Sequence, residues 1–345
     1  MGASLRALCT APRTIELATV DVPPPNGGWA TIRVRNCGIC GSDLHFFRGD
    51  FPPPTQVVMG HEISGEVVEL GEGATGLVVG DRVVVEPLVV CRTCRYCTSG
   101  EPQLCSERQL MGTAVNGGFS ELMSVPAYAL HQLPAEVPFH IGALAEPIAV
   151  CVHGLRLVDL RKNESVLVLG AGTIGLLSVL VARELGASSV AVTARHEHQA
   201  SLAQTLGATE VFAPDDRTGL ASYAEARSLD VVVETIGGEA GTLADALALV
   251  RPGGRISVLG VFTRPVSLHP VQMVLKEARI VGSLTYGSPG GRSDFAIAVD
   301  ILQRRWRDLE PLITARFPLS QAAAAFEQAL DKAHGGVKVT VEPGE

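Results

Sequence analysis

No stretch of this sequence approaches the ~20 consecutive apolar residues that a membrane span requires, so no membrane partner is expected. Positive charge is not in surplus either. Lys and Arg number 28 against 36 Asp and Glu, for a net charge of −8, and this argues against nucleic acid as the main partner. The opening residues, Met1 to Thr10, hold no basic segment leading into an apolar run, so no secretory signal is expected. Internal repeats and low-complexity tracts are lacking. What is present is a chain of 345 residues, 46% hydrophobic and 19% charged. That is enough apolar material for a sizeable core and enough length for two domains.

The eight cysteines carry information in their spacing. In a chain that is neither short nor marked for secretion, clustered cysteines read as metal ligands rather than as a disulfide framework, and a reducing, cytoplasmic setting is expected. Cys91-x2-Cys94-x2-Cys97-x7-Cys105 places four thiolates close enough to close a tetrahedral zinc cage with Zn–S bonds of ~2.3 Å. A closed cage needs no further ligand, so this zinc is expected to be structural and to hold a lobe at about 87–108. A second set is dispersed: Cys40, His61, Glu62 and Glu146. A thiolate, an imidazole and a carboxylate can hold zinc with one position open. Zinc so held lowers the pKa of an alcohol oxygen, as removal of hydride from the adjacent carbon requires. Cys9, Cys37 and Cys151 read as small buried hydrophobes.

Two textures divide the chain. The first ~150 residues are rich in Gly, Pro and β-branched residues, with short strands such as Ala30 to Arg35 and Arg82 to Glu86 between turn signals. Beyond them, strands and helices alternate. Ser165 to Leu169 reads as a buried strand, Ile174 to Leu185 as a helix, and Ser189 to Thr193 as the next strand. Helix Glu197 to Leu206 and strands Glu210 to Phe212, Asp230 to Glu234 and Gly254 to Leu259 continue a βαβ pattern and imply an open parallel sheet. Helix Asp294 to Gln303 and strand Gly336 to Val341 close the chain.

Gly170-Ala171-Gly172-Thr173-Ile174-Gly175 matches G-x-G-x-x-G between a strand and a helix, the context in which that pattern binds a dinucleotide. The glycines permit the tight turn, the approach of backbone to pyrophosphate and close helix–strand packing. The helix start, at Thr173 and Ile174, presents unpaired N–H groups to the phosphates. The next strand ends Val192-Thr193-Ala194-Arg195-His196. An NAD site places Asp or Glu there, ~20 residues past the glycines, to bind the ribose 2′-hydroxyl. Ala194 removes that carboxylate and Arg195 can grip a 2′-phosphate, so NADP(H) is expected over NAD(H). Glu197 is the acidic residue near enough to reach a ribose instead. His196 and His198 read as a solvated helix start, and Arg304, Arg305 and Arg307 as a solvated face.

Gly60-His61-Glu62-Ile63-Ser64-Gly65 with Gly71, and Cys37-Gly38-Ile39-Cys40-Gly41-Ser42-Asp43-Leu44-His45, resemble the zinc-ligand motifs of the zinc-containing medium-chain alcohol dehydrogenases. The four-cysteine lobe and the glycine loop follow in that family's order, so the resemblance covers nearly the whole chain. It implies a GroES-like irregular β catalytic domain (1–154), a Rossmann doubly wound parallel sheet (155–287), and a return to the catalytic domain (288–345), with substrate in the cleft between them. It implies that Cys40 and His61 ligate a catalytic zinc. Glu62 matches a carboxylate that can bind or leave the metal, and Glu146, in Glu146-Pro147, matches the glutamate of the polyol and threonine dehydrogenase branches. Either glutamate can complete the set. Ser42 matches the hydroxyl that relays the substrate proton toward the cofactor ribose and then to His45. Asp43 matches the carboxylate that orients His61, as metal-bound imidazoles generally need.

The implied enzyme oxidises a small secondary alcohol or polyol to a ketone with a nicotinamide cofactor and two zinc ions. It works as a homodimer or homotetramer, and a strand near Ser283 to Tyr286 would extend the sheet into the interface. Thr285 stands where the sorbitol branch has an arginine that binds polyol hydroxyls. Phe46 and Phe47 either make the pocket mouth apolar or belong to the core. The alternatives are an amino-alcohol dehydrogenase of the threonine branch and, in another class, an NADPH-binding protein without catalysis.

Overall fold

The computed structural model describes residues 3–54 and 56–344. The chain divides into two compact units, Met1–Glu146 with Ala298–Glu345, and Pro147–Ile297. Strands β1 (Ala3–Ala11) and β2 (Thr14–Asp21) form an antiparallel hairpin. They are followed by β3 (Trp29–Gly38), α1 (Gly41–Arg48), β4 (Glu62–Leu70), β5 (Arg82–Val85) and β6 (Leu88–Val89). Then come α2 (Arg95–Thr98), β7 (Gln109–Leu110), β8 (Leu122–Pro126), β9 (Leu130–Gln132) and α3 (Phe139–Gly142). Helix α4 (Ala145–Leu157) precedes β10 (Ser165–Leu169), α5 (Thr173–Glu184), β11 (Ser189–Thr193), α6 (Glu197–Thr205) and β12 (Glu210–Phe212). The alternation continues with α7 (Arg217–Arg227), β13 (Val231–Glu234), α8 (Thr242–Leu249), β14 (Arg255–Val258), α9 (Pro270–Lys276) and β15 (Arg279–Gly282). The chain closes with α10 (Asp294–Leu309), β16 (Ile313–Pro318), α11 (Ala322–Leu330) and β17 (Lys338–Glu342).

The first unit is built on a sheet of order β16-β17-β3-β4-β5-β9, with β8 also paired to β3. This is the GroES-like domain. Register shifts in β3 against β4, between Thr31 and Ile32 and between Val34 and Asn36, bend the ladder as bulges do. The carboxyl-terminal β17 pairs antiparallel with the end of β3, Thr340 opposite Gly38 and Val341 opposite Cys37. Residues just over 300 positions apart therefore meet beside the Cys40 turn. The core includes Ile32, Met59, Ile63, Phe119 and Phe326.

The second unit is a Rossmann fold, a parallel sheet of order β12-β11-β10-β13-β14-β15. Every residue of β10 and β11 is buried, as expected of Val-rich strands covered by helices on both faces. The chain leaves β10 toward one side and later returns on the other as β13. The carboxyl ends of β10 and β13 thus flank the topological switch point, where open α/β sheets bind ligands. One expected strand is displaced. The edge strand is β15, ending at Gly282, not Ser283 to Tyr286. The extended conformation cannot pass through Thr285, whose φ is +49°, a left-handed value that breaks a strand.

Candidate active site and cofactor site

The four-cysteine lobe is assembled around one short helix. Cys94 caps α2, Cys97 lies within it, and Cys91 and Cys105 flank it. The four Sγ atoms all lie within 4.8 Å of one another. The Cys94 backbone N–H donates to Cys91 Sγ at 3.4 Å, and the N–H groups of Thr93 and Cys94 help pull the Cys91 thiol down to about 6. Burial and the adjacent thiols push Cys97 up to about 12. Crowded thiols with such opposed tendencies are what a tetrahedral Zn–S cage resolves, since the metal deprotonates its ligands. The donor set fits structural zinc.

The dispersed set is gathered in the first unit. Cys40 precedes α1 in extended conformation, and its backbone N–H donates to Asp43 Oδ2 at 2.9 Å. The other oxygen of Asp43 faces His61 Nδ1 at 3.8 Å. His61, Asp43, Glu62 and Glu146 are all buried. Burial works against protonation of His61, but Asp43, Cys40 and Glu146 outweigh it and hold the imidazole well above its usual range. Glu146 is pushed up to about 7, chiefly by burial. His61 Nδ1 and Asp43 Oδ1 are buried without a hydrogen-bond partner. A half-buried thiol beside a buried imidazole and a buried carboxyl group fits a divalent metal with sulfur and nitrogen affinity. Among the described residues the tight ligand cluster is the cysteine lobe alone, so the dispersed set is a more open arrangement.

Glu62 has a partner that the sequence reading missed. Lys338 Nζ donates to both its carboxylate oxygens, at 2.7 and 2.6 Å, and to the Ile39 carbonyl at 3.0 Å. Burial alone would lower the Lys338 pKa, but Glu62 and Cys40 raise it. The available signal was a lone lysine among β-branched residues, Val337-Lys338-Val339-Thr340-Val341. Ser42 and His45 both lie half-buried on α1. The two phenylalanines differ. Phe47 is 1% exposed and its ring packs on Phe326 at 5.1 Å, so it belongs to the core and not to a pocket mouth. Phe46 is half-buried, edge-on to Phe51 at 6.3 Å.

In the second unit the glycine loop leaves β10 at the switch point. The Gly170 N–H donates to Thr193 Oγ1 at 2.8 Å, tying the loop to the end of β11. A Cβ on Gly175 would lie 2.0 Å from the Gly170 carbonyl oxygen, so only glycine lets α5 start this close to the strand. A cavity of about 220 Å³ opens alongside, lined by Leu169, Thr193, Pro214, Arg217, Ile236 and Thr242. Thr173 and Ile174 begin α5. Ala194 is buried, and Arg195 is exposed with no hydrogen bond or ion pair among the described residues. His196 and His198 stack at 5.4 Å. Glu234, also unforeseen, ends β13. Its Oε1 accepts from the N–H groups of Ile236 and Gly237 at 2.9 and 3.0 Å and from Thr242 Oγ1 at 2.7 Å, shaping the turn that places Ile236 against the cavity. Thr285 is half-buried, with Oγ1 unpartnered.

Known proteins match both units. Residues 26–135 match the alcohol dehydrogenase GroES-like domain and residues 173–304 the zinc-binding dehydrogenase family. The chain is 32% identical over 328 residues to the sorbitol dehydrogenase of Halalkalibacterium halodurans, covering 93% of each chain. It is 33% identical over 309 residues to the L-threonine 3-dehydrogenase of Pyrococcus furiosus, covering 88% of each. The structure of a zinc-binding dehydrogenase from Sinorhizobium meliloti 1021 bound to NADP superposes with a TM-score of 0.89 at 30% identity, covering 99% of this chain and 100% of that one. With identity sustained over nine-tenths of the chain and a four-thiolate zinc lobe in place, the chain belongs to the zinc-containing medium-chain alcohol dehydrogenases, the NAD(P)-linked enzymes that act on alcohols and polyols.

Proposed function

We propose that this protein interconverts a small secondary alcohol or polyol and its ketone, with NADP(H) as the hydride carrier. The observation that carries the reading is the grouping of buried His61 and Glu146 with half-buried Cys40, with Asp43 behind the imidazole. Zinc bound there supplies Lewis acidity toward the alcohol oxygen, and the nicotinamide accepts the hydride. Cys40, His61 and Glu146 hold the metal, while Asp43 orients His61. Ser42 takes the substrate hydroxyl proton and passes it by way of the cofactor ribose to His45. Replacement of Cys40 by alanine is expected to abolish turnover, and near-normal kcat in that variant would remove the metal role.

NADP(H) is supported by Ala194, which leaves no carboxylate to repel a 2′-phosphate, and by the uncommitted guanidinium of Arg195. Gly170, Gly172, Gly175, Thr173 and Ile174 take the pyrophosphate, and Thr193 supports their loop. Titration with NADPH and NADH tests this directly. Binding of NADPH at least tenfold tighter, ~1.4 kcal/mol, supports the assignment, and equal binding defeats it. Thr285 in place of the sorbitol branch's arginine favours a less hydroxylated alcohol. A second reading, oxidation of an amino-alcohol, is favoured by the threonine 3-dehydrogenase relative. Turnover of L-threonine without turnover of 2,3-butanediol or polyols would select it.

We assign the enzyme to the cytoplasm, in keeping with eight free cysteines. No helix among the described residues is long and apolar enough to cross a membrane. A homodimer or homotetramer is favoured by the free edge of β15 beside the exposed Val271, Val274 and Leu275 of α9, because open apolar edges recruit further strands.

A further inference from the structure

We propose that Asp50 is a positioning residue for His45. It fixes the imidazole tautomer so that Nε2 carries the lone pair that receives the substrate proton. The inference rests on His45 being the end of the relay that starts at Ser42, and it adds a residue which that reading lacks.

The contact is created by the end of α1. Gly49 adopts φ +84° as the helix terminates, a left-handed cap that glycine adopts without penalty. The N–H groups of Gly49 and Asp50 return to the carbonyls of Phe46 and His45 at 3.0 and 2.9 Å. This turn folds Asp50 back over the helix, and its Oδ2 lies 2.7 Å from His45 Nδ1. Phe51 follows and tilts against the imidazole at 5.6 Å. The ring of His45 is therefore held at one nitrogen and along one side.

Which proton sits on Nδ1 follows from the neighbours. Arg48 Nε donates to Asp50 Oδ2 at 3.0 Å and Arg48 Nη2 donates to the same oxygen. Arg48 Nη2 also lies 2.9 Å from His45 Nδ1. If Nδ1 bore a lone pair, it would face the carboxylate at 2.7 Å, lone pair against lone pair. A proton on Nδ1 donated to Asp50 removes that repulsion and leaves Nε2 as the acceptor. When Nε2 takes the relayed proton, the imidazolium keeps Nδ1–H on Asp50. The carboxylate stays ionised and no further proton moves. Arg48 opposes the imidazolium charge and Asp50 favours it. Arg48 and His45 hold the Asp50 carboxyl below its usual range. Helix α1 packs on α11 and β1. The charged groups those elements carry are Glu327, paired with Arg13 at 3.1 Å, and Arg6.

Without Asp50, the lone pair of Nδ1 becomes the acceptor for Arg48 Nη2, and the ring proton moves to Nε2. The relay acceptor is thereby converted to a donor. Asp50 and His45 are 37% and 20% exposed, so substitution at 50 does not threaten the core. The test is a long-range 1H–15N spectrum of the histidine-labelled holoenzyme, with the H45Q spectrum identifying the His45 signals. The wild type is expected to show the Nδ1–H tautomer and D50A the Nε2–H tautomer. D50N can still accept from Nδ1–H, so it is expected to keep the wild-type tautomer. In turnover, D50A is expected to lose kcat/KM by no more than H45Q does, about a hundredfold. D50A added to H45Q is expected to cost nothing further. An unchanged tautomer in D50A, or an equal loss from D50A in both backgrounds, overturns the inference and leaves the relay reading standing. Wild-type turnover in H45Q removes the relay reading and this inference with it.

Discussion

Lys338 Nζ lies 2.6 Å from one carboxylate oxygen of Glu62 and 2.7 Å from the other, with both side chains almost wholly out of water. The pair links β17 to the first residue of β4, immediately after His61. A buried pair of this kind is costly to break from one side, because the remaining charge keeps its desolvation penalty and loses its partner. K338M is therefore expected to destabilise the protein by ~3–5 kcal/mol. The double variant E62L/K338M is expected to recover most of that loss. Thermal melting of the three proteins checks this. Equal melting of K338M and the wild type would show that the pair is not buried as described.

The same contact distinguishes the two glutamates proposed as zinc ligands. Both oxygens of Glu62 are engaged by Lys338, whereas Glu146 makes no such pair and its carboxyl is pushed up to about 7 by burial. E146Q is expected to lose the catalytic zinc while retaining the zinc of the cysteine lobe, and E62Q to retain both. Metal analysis after brief chelator treatment reads the difference. Loss of zinc from E62Q but not from E146Q would reverse the assignment.

Cofactor choice is expected to reverse with two changes. A194D restores a carboxylate at the end of β11, where it repels a 2′-phosphate and accepts from a 2′-hydroxyl. R195A removes the guanidinium. Each is expected to weaken NADPH by about tenfold, ~1.4 kcal/mol, and A194D/R195A to bind NADH more tightly than NADPH. Fluorescence titration gives all of these constants. Unchanged NADPH affinity in R195A would mean that the 2′-phosphate is held elsewhere.

How far the sequence could be read depended on how locally each feature is encoded. The run Ser165 to Leu169 is wholly apolar after its first residue, so its place as a doubly covered strand was plain, and with it the glycine loop. The cysteine lobe was legible for a similar reason, since its four ligands span fifteen positions. Edge strand β15 was misplaced because Arg279-Ile280-Val281-Gly282 and Ser283-Leu284-Thr285-Tyr286 are about equally mixed. The left-handed backbone at Thr285 decides between them, and composition does not report it. Lys338 escaped notice because lysines are rarely buried, and its partner lies 276 residues away. Glu234 and Asp50 were missed because each acts through a turn whose shape depends on a neighbouring residue. Phe46 and Phe47 were not told apart, because the packing of α1 decides between them: Phe47 faces Phe326, while Phe46 turns aside.

Acid stability of the second unit should depend on Asp230. Its Oδ2 accepts from the backbone N–H and hydroxyl of Ser165 at 2.9 and 3.1 Å, and Oδ1 accepts from Arg251 Nε at 2.8 Å. These bonds pin the start of β10 to the residue preceding β13. Burial raises the pKa of this carboxyl, but Ser165 and Arg251 outweigh it and hold it below the usual range. The unfolded chain therefore binds the proton more tightly than the folded one. The stabilisation is fully present above the ordinary aspartate value of ~3.9 and fades as pH falls through the lower, folded-state value. D230N is expected to cost ~1–3 kcal/mol near neutrality. As the medium is acidified below pH ~4, the wild type loses its advantage and the two melting temperatures converge. A gap between the two proteins that stays constant from neutral pH into the acid range would show that the carboxylate charge contributes nothing to this junction.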